Sequence, residues 1–294
     1  MNARRRLLAS TAILSASALA LTACGLVGGG DSDDDTITLI VTESAAFQDP
    51  TEIVQELLEE EGWNVEATYV DDWVRPNHAV SDGEFDANYF QHLVYLNQFN
   101  QDNDLDLEPM FAVHVAPSGI FSAEYDSLDE LPDGAEIALP VDPGNNWRGI
   151  RLLANEGLIE IDPEVPYTQL SQDSITENPQ NFSFVEMEAQ QIPQSMSSVD
   201  AGWLLVRLAA ENDIDINSAL VLEEDELALP ITIVVAAPAE FRGTDKAEAL
   251  ERAYQSPEVQ EWYDDYLGGV METSFDVDID GAWEDVTSEG FATD

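Results

Sequence analysis

The stretch Asp142-Pro-Gly-Asn-Asn-Trp-Arg-Gly149 sets a cation directly behind a glycine and asparagine turn, in a chain with 60 acidic residues and only 10 basic ones. Asn145 or Asn146 can cap a helix whose buried stripe is Trp147, Ile150 and Leu153, and Gly157 followed by Leu158 suits its end. The first turn of such a helix already carries about half a positive charge, so Arg148 there needs an anion. Two anions qualify. One is a ligand carboxylate held jointly by helix amides, asparagine side chains and the guanidinium. The other is one of the chain's many acids, which makes Arg148 part of a surface salt bridge. A second cluster, Phe85-Asp-Ala-Asn-Tyr-Phe-Gln-His92, sets Tyr89 and Phe90 beside Gln91 and His92, with Tyr69 and Trp73 upstream. These are flat apolar faces with neutral donors against which a small amphipathic ligand could lie, or else core aromatics at a strand end. His78, His92 and His114 offer a possible metal set, but the chain has no H-E-x-x-H pair, no G-x-S-x-G and no P-loop. The expectation is a binding protein and not an enzyme, with no cofactor, no metal and no catalytic residue.

The elements that must position these residues begin after a leader. Residues 1–23 carry three arginines, an apolar stretch from Leu7 to Leu21 and then small residues, the pattern of an export signal. The stretch is shorter than the ~20 apolar residues of a membrane span. It ends in Leu21-Thr22-Ala23-Cys24, a lipobox in which the only cysteine would be acylated and become the membrane anchor. Residues 24–35, rich in glycine and aspartate, read as a flexible tether. Loss of the leader removes three arginines and no acid from a chain already at a formal net charge of −50. Such a surface repels nucleic acid and, at low salt, itself. With Lys246 the only lysine, the composition suggests work outside the cytoplasm in a saline medium that screens the repulsion.

At 44% apolar with six tryptophans the remainder has ample material for a core. Thr36–Ser44 is a β-branched run, followed by a helix carrying Ile53, Val54, Leu57 and Leu58, a Gly62 stop and another strand: a β-α-β unit. Arg75–Gly83 reads as a short helix, Phe85–Phe90 as a strand, Gln91–Asn103 as a helix and Met110–Ser122 as one long apolar strand region. A second set follows, with a strand from Ala135, the helix containing Arg148, a strand at Phe182–Glu188, an apolar run at Val199–Ile214 and a strand at Ser218–Glu223. Ile231–Pro238 is a buried return strand, and two helices follow it. This alternation predicts an α/β fold with mostly parallel sheets, and the return strand predicts two lobes with a cleft between them. No internal repeat is visible.

Three segments carry a family resemblance: Asp71–Leu96 with its P-N-x-A-x-x-D-G and D-A-N-x-F-Q-H, Ser127–Ile159 with D-P-x-N-x-x-R, and Glu177–Pro193 with E-N-P-x-N. In this order and spacing, from about Thr36 to Gly269, they resemble the NlpA/MetQ family of methionine-binding lipoproteins of ABC importers. The resemblance implies a two-lobed fold of the type II periplasmic-binding-protein kind with the ligand in the cleft. Lobe 1 is expected at 36–125 and 228–294 and lobe 2 at 126–227. It implies a lipid-anchored protein facing the outside of the cytoplasm, partnered by an ABC permease and its ATPase. It also implies that Trp73, Phe90 and His92 surround the ligand's side chain, while Asn145 and Arg148 hold its polar end, Arg148 on the α-carboxylate. Four positions depart from the family. Trp73 replaces a tyrosine, His114 and Ala116 fall in H-V-A-P where the family has F-V-Y-P, and Arg207 falls where the family has an asparagine. A guanidinium facing the cleft at 207 would repel an ammonium group, and its alternative is a salt bridge with Asp200 or Glu211.

Overall fold

The computed structural model describes residues 35–223 and 229–288; Cys24, the leader and nearly all of the expected tether lie outside the described residues. The chain first forms β1 (Thr36–Thr42), α1 (Ala45–Glu61), β2 (Asn64–Val70), α2 (Arg75–Ser81), β3 (Ala87–His92), α3 (Leu93–Asn103) and β4 (Glu108–Val115). It continues through β5 (Ser118–Phe121), β6 (Glu136–Pro140), α4 (Pro143–Asn155), the short β7 (Glu160–Ile161) and β8 (Ile175–Glu177), β9 (Ser183–Met187), α5 (Ile192–Ser195), β10 (Ala201–Leu205), α6 (Val206–Glu211) and β11 (Val221–Leu222). It closes with β12 (Thr232–Ala237), α7 (Asp245–Tyr254), α8 (Pro257–Asp265) and α9 (Ile279–Ser288).

Two five-stranded sheets result, ordered β2-β1-β3-β12-β4 and β9-β6-β10-β5-β11. The two orders follow one plan. In each, the first three strands of a set lie 2-1-3, and a strand entering from the other lobe is inserted before the fourth. The sheets are mixed, not mostly parallel: β1–β2, β1–β3, β6–β9 and β6–β10 are parallel, while β12 and β5 run antiparallel to both their neighbours. An inserted strand is not led in by a β-α-β crossover, so nothing obliges it to run parallel. The expected strand region Met110–Ser122 is therefore two strands in two sheets, divided at Ala116-Pro117. Phe121, placed before the break at 125, pairs with Gly202 of β10 in the second sheet.

Local chemistry fixes the helices. In α1, Phe47, Val54 and Leu58 are buried, and Gly62 at φ 98 ends the helix by giving its N–H to Leu58 and Glu59 carbonyls. Pro50 lies inside α1 and has no N–H for the carbonyl of Ala46 four residues earlier. The Tyr263 hydroxyl donates to that carbonyl instead, at 2.6 Å. In α4, Pro143 occupies the first turn and Asp142 is the N-cap. The helix thus begins before Asn145, and Arg148 sits in its second turn, not its first.

Ion pairs take up most of the positive charge, five of the seven described cations. Among the described residues Arg148 pairs with Glu223, Arg207 with Glu211, Arg242 with Glu108 and Asp280, Lys246 with Asp86 and Arg252 with Glu61. Arg151 stacks on Tyr167, its guanidinium carbon 3.9 Å from the ring centre.

Candidate ligand-binding site

Where the lobes face each other, the end of β3, the start of α3 and the first residues of α1 meet the start of α4 and the β10–α6 junction. The His92 side chain links the two. Its Nδ1 accepts the Tyr95 amide at 3.1 Å, so the ring proton is on Nε2, which donates to Asn145 Oδ1 across the lobes at 3.0 Å. Burial, reinforced by nearby Arg148, pulls the imidazole pKa down to about 3 despite the bond to Asn145. It is neutral at physiological pH. Asn145 is fixed at its other end by Asp142, whose Oδ1 accepts from Nδ2 at 2.8 Å. Burial pushes the Asp142 carboxyl up to about 6 against these hydrogen bonds. Ser44 at the head of α1 donates a short hydrogen bond to Glu211 at the end of α6, a second tie between the lobes. Helices α3 and α4 approach so closely that a Cβ on Gly144 would lie 3.0 Å from Tyr95 Cα.

These groups enclose a cavity of about 20 Å³, room for a water molecule or two. Trp73, Phe90, His92, Asn145 and Arg207 all line it, with Phe47, Tyr95 and Ala116 among the other wall residues. Five of the six expected contact residues are thus brought together. Arg207 faces the cavity and also makes the Glu211 contact, at 3.5 Å; Asp200 instead accepts the Glu136 amide at 2.7 Å. The Arg207 guanidinium lies over Phe47 and Trp73, 5.3 and 5.5 Å from the ring centres. Burial draws its pKa down, with Glu211 the main opposing charge.

Arg148 is the exception. It is fully buried and is not part of the cavity wall. Its Nε and Nη2 form a bidentate pair with Glu223 at 2.8 and 2.5 Å, Nη2 also reaches the Ala116 carbonyl at 2.7 Å, and Nη1 reaches Asn145 Oδ1 at 3.2 Å. Of the two anions that suited Arg148, the structure supplies the acid of the chain. Glu223 follows β11 and is held by the Ser118 amide at 2.8 Å. Nothing in the acid-rich run around it distinguishes it in the sequence from a solvated charge.

The pair depends on β11 lying tightly on β5. A Cβ on Gly119 would fall 2.5 Å from the Val221 carbonyl oxygen, so Gly119→Ala is expected to push β11 outward and loosen Glu223. The expected cost is about 1–3 kcal/mol, read as a lowered midpoint in urea; an unchanged midpoint would show that the strand adjusts freely.

Other singled-out residues are structural. Gln91 exchanges hydrogen bonds with Asn77 and Asn88 at 2.6 to 3.0 Å in a closed amide network. His114 lies in the first-lobe core, stacked on Tyr263. The Tyr263 proton goes to Ala46, so the Tyr89 proton goes to Tyr263 and His114 Nδ1–H donates to Tyr89 at 2.9 Å. His114 Nε2 is then a buried acceptor with no partner. His78 packs against Phe99, so the three histidines serve three separate environments.

The His92 shift has a sign that can be followed. Its folded pKa lies below the ordinary 6.5, so acidification protonates the unfolded chain first and stability falls from pH 6.5 toward 3. Asp142 works the other way, since protonating it between about 6 and 3.8 relieves a buried charge. Comparison with His92→Gln isolates the histidine. Wild type is expected to lose on the order of 3 kcal/mol relative to this variant between pH 7 and 4, and a constant difference across that range would contradict the assignment.

The chain is similar to known proteins over most of its length. The family model described as NlpA lipoprotein matches residues 38–273. The chain is 33% identical over 246 residues to the D-methionine-binding lipoprotein MetQ of Salmonella typhi, covering 83% of this chain and 89% of that one. It is 30% identical over 270 residues to the methionine-binding lipoprotein MetQ of Bacillus subtilis, covering 90% and 97%. Among solved structures, a nutrient binding protein from Burkholderia cenocepacia bound to methionine superposes with a TM-score of 0.76 at 30% identity, over 81% of this chain and all of that one. The Burkholderia protein shares the α/β fold described above, and the chain belongs to the NlpA lipoprotein family.

Proposed function

We propose that this protein is the lipid-anchored, extracytoplasmic substrate-binding component of an ABC importer, and that it captures methionine or a related small amino-acid-like ligand by lobe closure. The observation that carries the reading is the interlobe cavity, walled by Trp73, Phe90, His92, Asn145 and Arg207 from both sheets. Its aromatic faces suit an apolar side chain, and its polar groups suit a small polar head. Arg148 acts one step away, holding Asn145 in place for His92. A methionine-sized ligand exceeds the enclosed volume, so it enters an open form and bridges the lobes as they close. Its differential affinity for the closed form shifts the population, and a permease with its ATPase reads that shift. Acylation at Cys24 keeps the protein at the outer face of the cell membrane. No step requires a metal, a cofactor or bond-making chemistry.

Native mass spectrometry of freshly purified protein, followed by thermal shift with L- and D-methionine and their derivatives, tests the proposal. A retained small-molecule mass or a saturable stabilisation is expected. Stoichiometric zinc uptake with no response to any of these solutes would overturn it.

A further inference from the structure

The cavity wall has an unusual charge inventory for a chain with 60 acidic residues. Among the described residues no aspartate or glutamate lines it, and with His92 neutral, Arg207 is the one charged group they contribute to the wall. The neutral acceptors there are already occupied. Asn145 Oδ1 takes protons from both His92 and Arg148, and the Gln91 amide is engaged at both ends with Asn77 and Asn88. Glu223 is closed off as well: both its oxygens accept from Arg148, one also takes the Ser118 amide, and its side chain is 1% exposed. Among the described residues a ligand ammonium group would find no counter-ion in this cavity and a buried guanidinium facing it.

The opposite holds for an anion. Arg207 is 4% exposed, its Nε has no hydrogen-bond partner, and its one ion pair, with Glu211 at 3.5 Å, is long. The other Glu211 oxygen is taken by Ser44. Phe47 and Trp73 offset part of the cost of burying the cation but accept none of its N–H bonds in the plane of the guanidinium. A buried unpaired donor on a charged group is expensive, and a carboxylate matches the fork of a guanidinium. Arg148, the other buried arginine of this region, is already neutralised by Glu223.

We propose that Arg207, and not Arg148, receives the ligand's anionic group, and that the ligand is a small carboxylate with an apolar tail and no free ammonium: an N-acylated amino acid or its α-keto counterpart. This rests on the cavity being the ligand site of a binding protein, and it narrows the ligand class within that reading.

The test is isothermal titration of the full-length purified protein and of Arg207→Gln with L-methionine, D-methionine, N-acetyl-L-methionine and 4-methylthio-2-oxobutanoate. Wild type is expected to bind the two ammonium-free acids at least tenfold more tightly than either methionine. Arg207→Gln should lose at least tenfold on those acids, and much less on the methionines, so that the preference collapses or inverts. Methionine bound as tightly as its N-acetyl and keto derivatives by wild type, or a preference unchanged in Arg207→Gln, would overturn the proposal while leaving the binding reading intact. Silence of wild type toward all four would overturn both. Should Arg207→Gln fail to fold, the wild-type ranking of the four ligands still decides.

Discussion

Glu223→Ala is expected to destabilise the protein by about 3–5 kcal/mol, the cost of leaving a buried charge without its partner. The Arg148 guanidinium is fully buried, and Glu223 supplies the only carboxylate paired with it among the described residues. Water cannot substitute for the lost partner, and an arginine does not shed its proton to escape the cost. The damage extends beyond one ion pair. Arg148 also holds the Ala116 carbonyl and Asn145 Oδ1, so the variant frees the His92 contact and loosens the segments joining the two sheets. Chemical denaturation with an unchanged slope reads the loss directly. The double variant Arg148→Met with Glu223→Leu should recover most of the stability, because an apolar pair of similar volume carries no desolvation penalty. A single variant within 1 kcal/mol of wild type would mean that the pair is not buried as described.

Trp203→Ala should cost about 3–5 kcal/mol. The indole is fully buried on β10, one face 5.1 Å beneath the Arg148 guanidinium carbon, and its Nε1 has no hydrogen-bond partner. Its contribution is therefore packing and the cation–π contact, not a hydrogen bond. Gly149 on α4 comes close for the same reason: a Cβ there would lie 3.6 Å from Trp203 and 2.4 Å from the Leu139 side chain, so α4 rests directly on the sheet. Removing the indole leaves a void beneath both α4 and the ion pair. Trp203→Phe, which loses no satisfied hydrogen bond, is expected to cost well under half as much, and an equal loss in the two variants would argue against the packing explanation. Thermal or urea midpoints of the two variants decide it.

The sequence made the interlobe cavity more legible than the polar core beside it. Trp73, Phe90, His92 and Asn145 lie in two of the segments that carry the family resemblance, and it is the resemblance, not the spacing alone, that implied their convergence. Arg207 was legible through the same resemblance, as a cation standing where the family has an asparagine. Glu223 was not, because its partner is 75 residues away and its neighbours are also acids. The start of α4 was misplaced because two asparagines look like caps, while the proline ahead of them, with its fixed φ, opens the helix earlier. The division of Met110–Ser122 between two sheets was hidden for a related reason. Both halves are apolar, and hydrophobic pattern reports burial without saying in which sheet. His114 belongs to the same class, since its place in a tyrosine cluster follows from a gap in α1 hydrogen bonding at Pro50 that no local pattern announces.

The pairing of the scarce cations bears on how such a chain tolerates mutation. Replacing one exposed acid that pairs with no cation changes the formal charge of −50 by one part in fifty and removes no partner, so drift at those positions is close to neutral. Each buried arginine is a single point of failure, because Glu223 or Glu211 has no second cation to turn to among the described residues. Substitution sensitivity in this protein should therefore concentrate on a few basic positions and the acids paired with them, while the many unpaired surface acids are individually expendable.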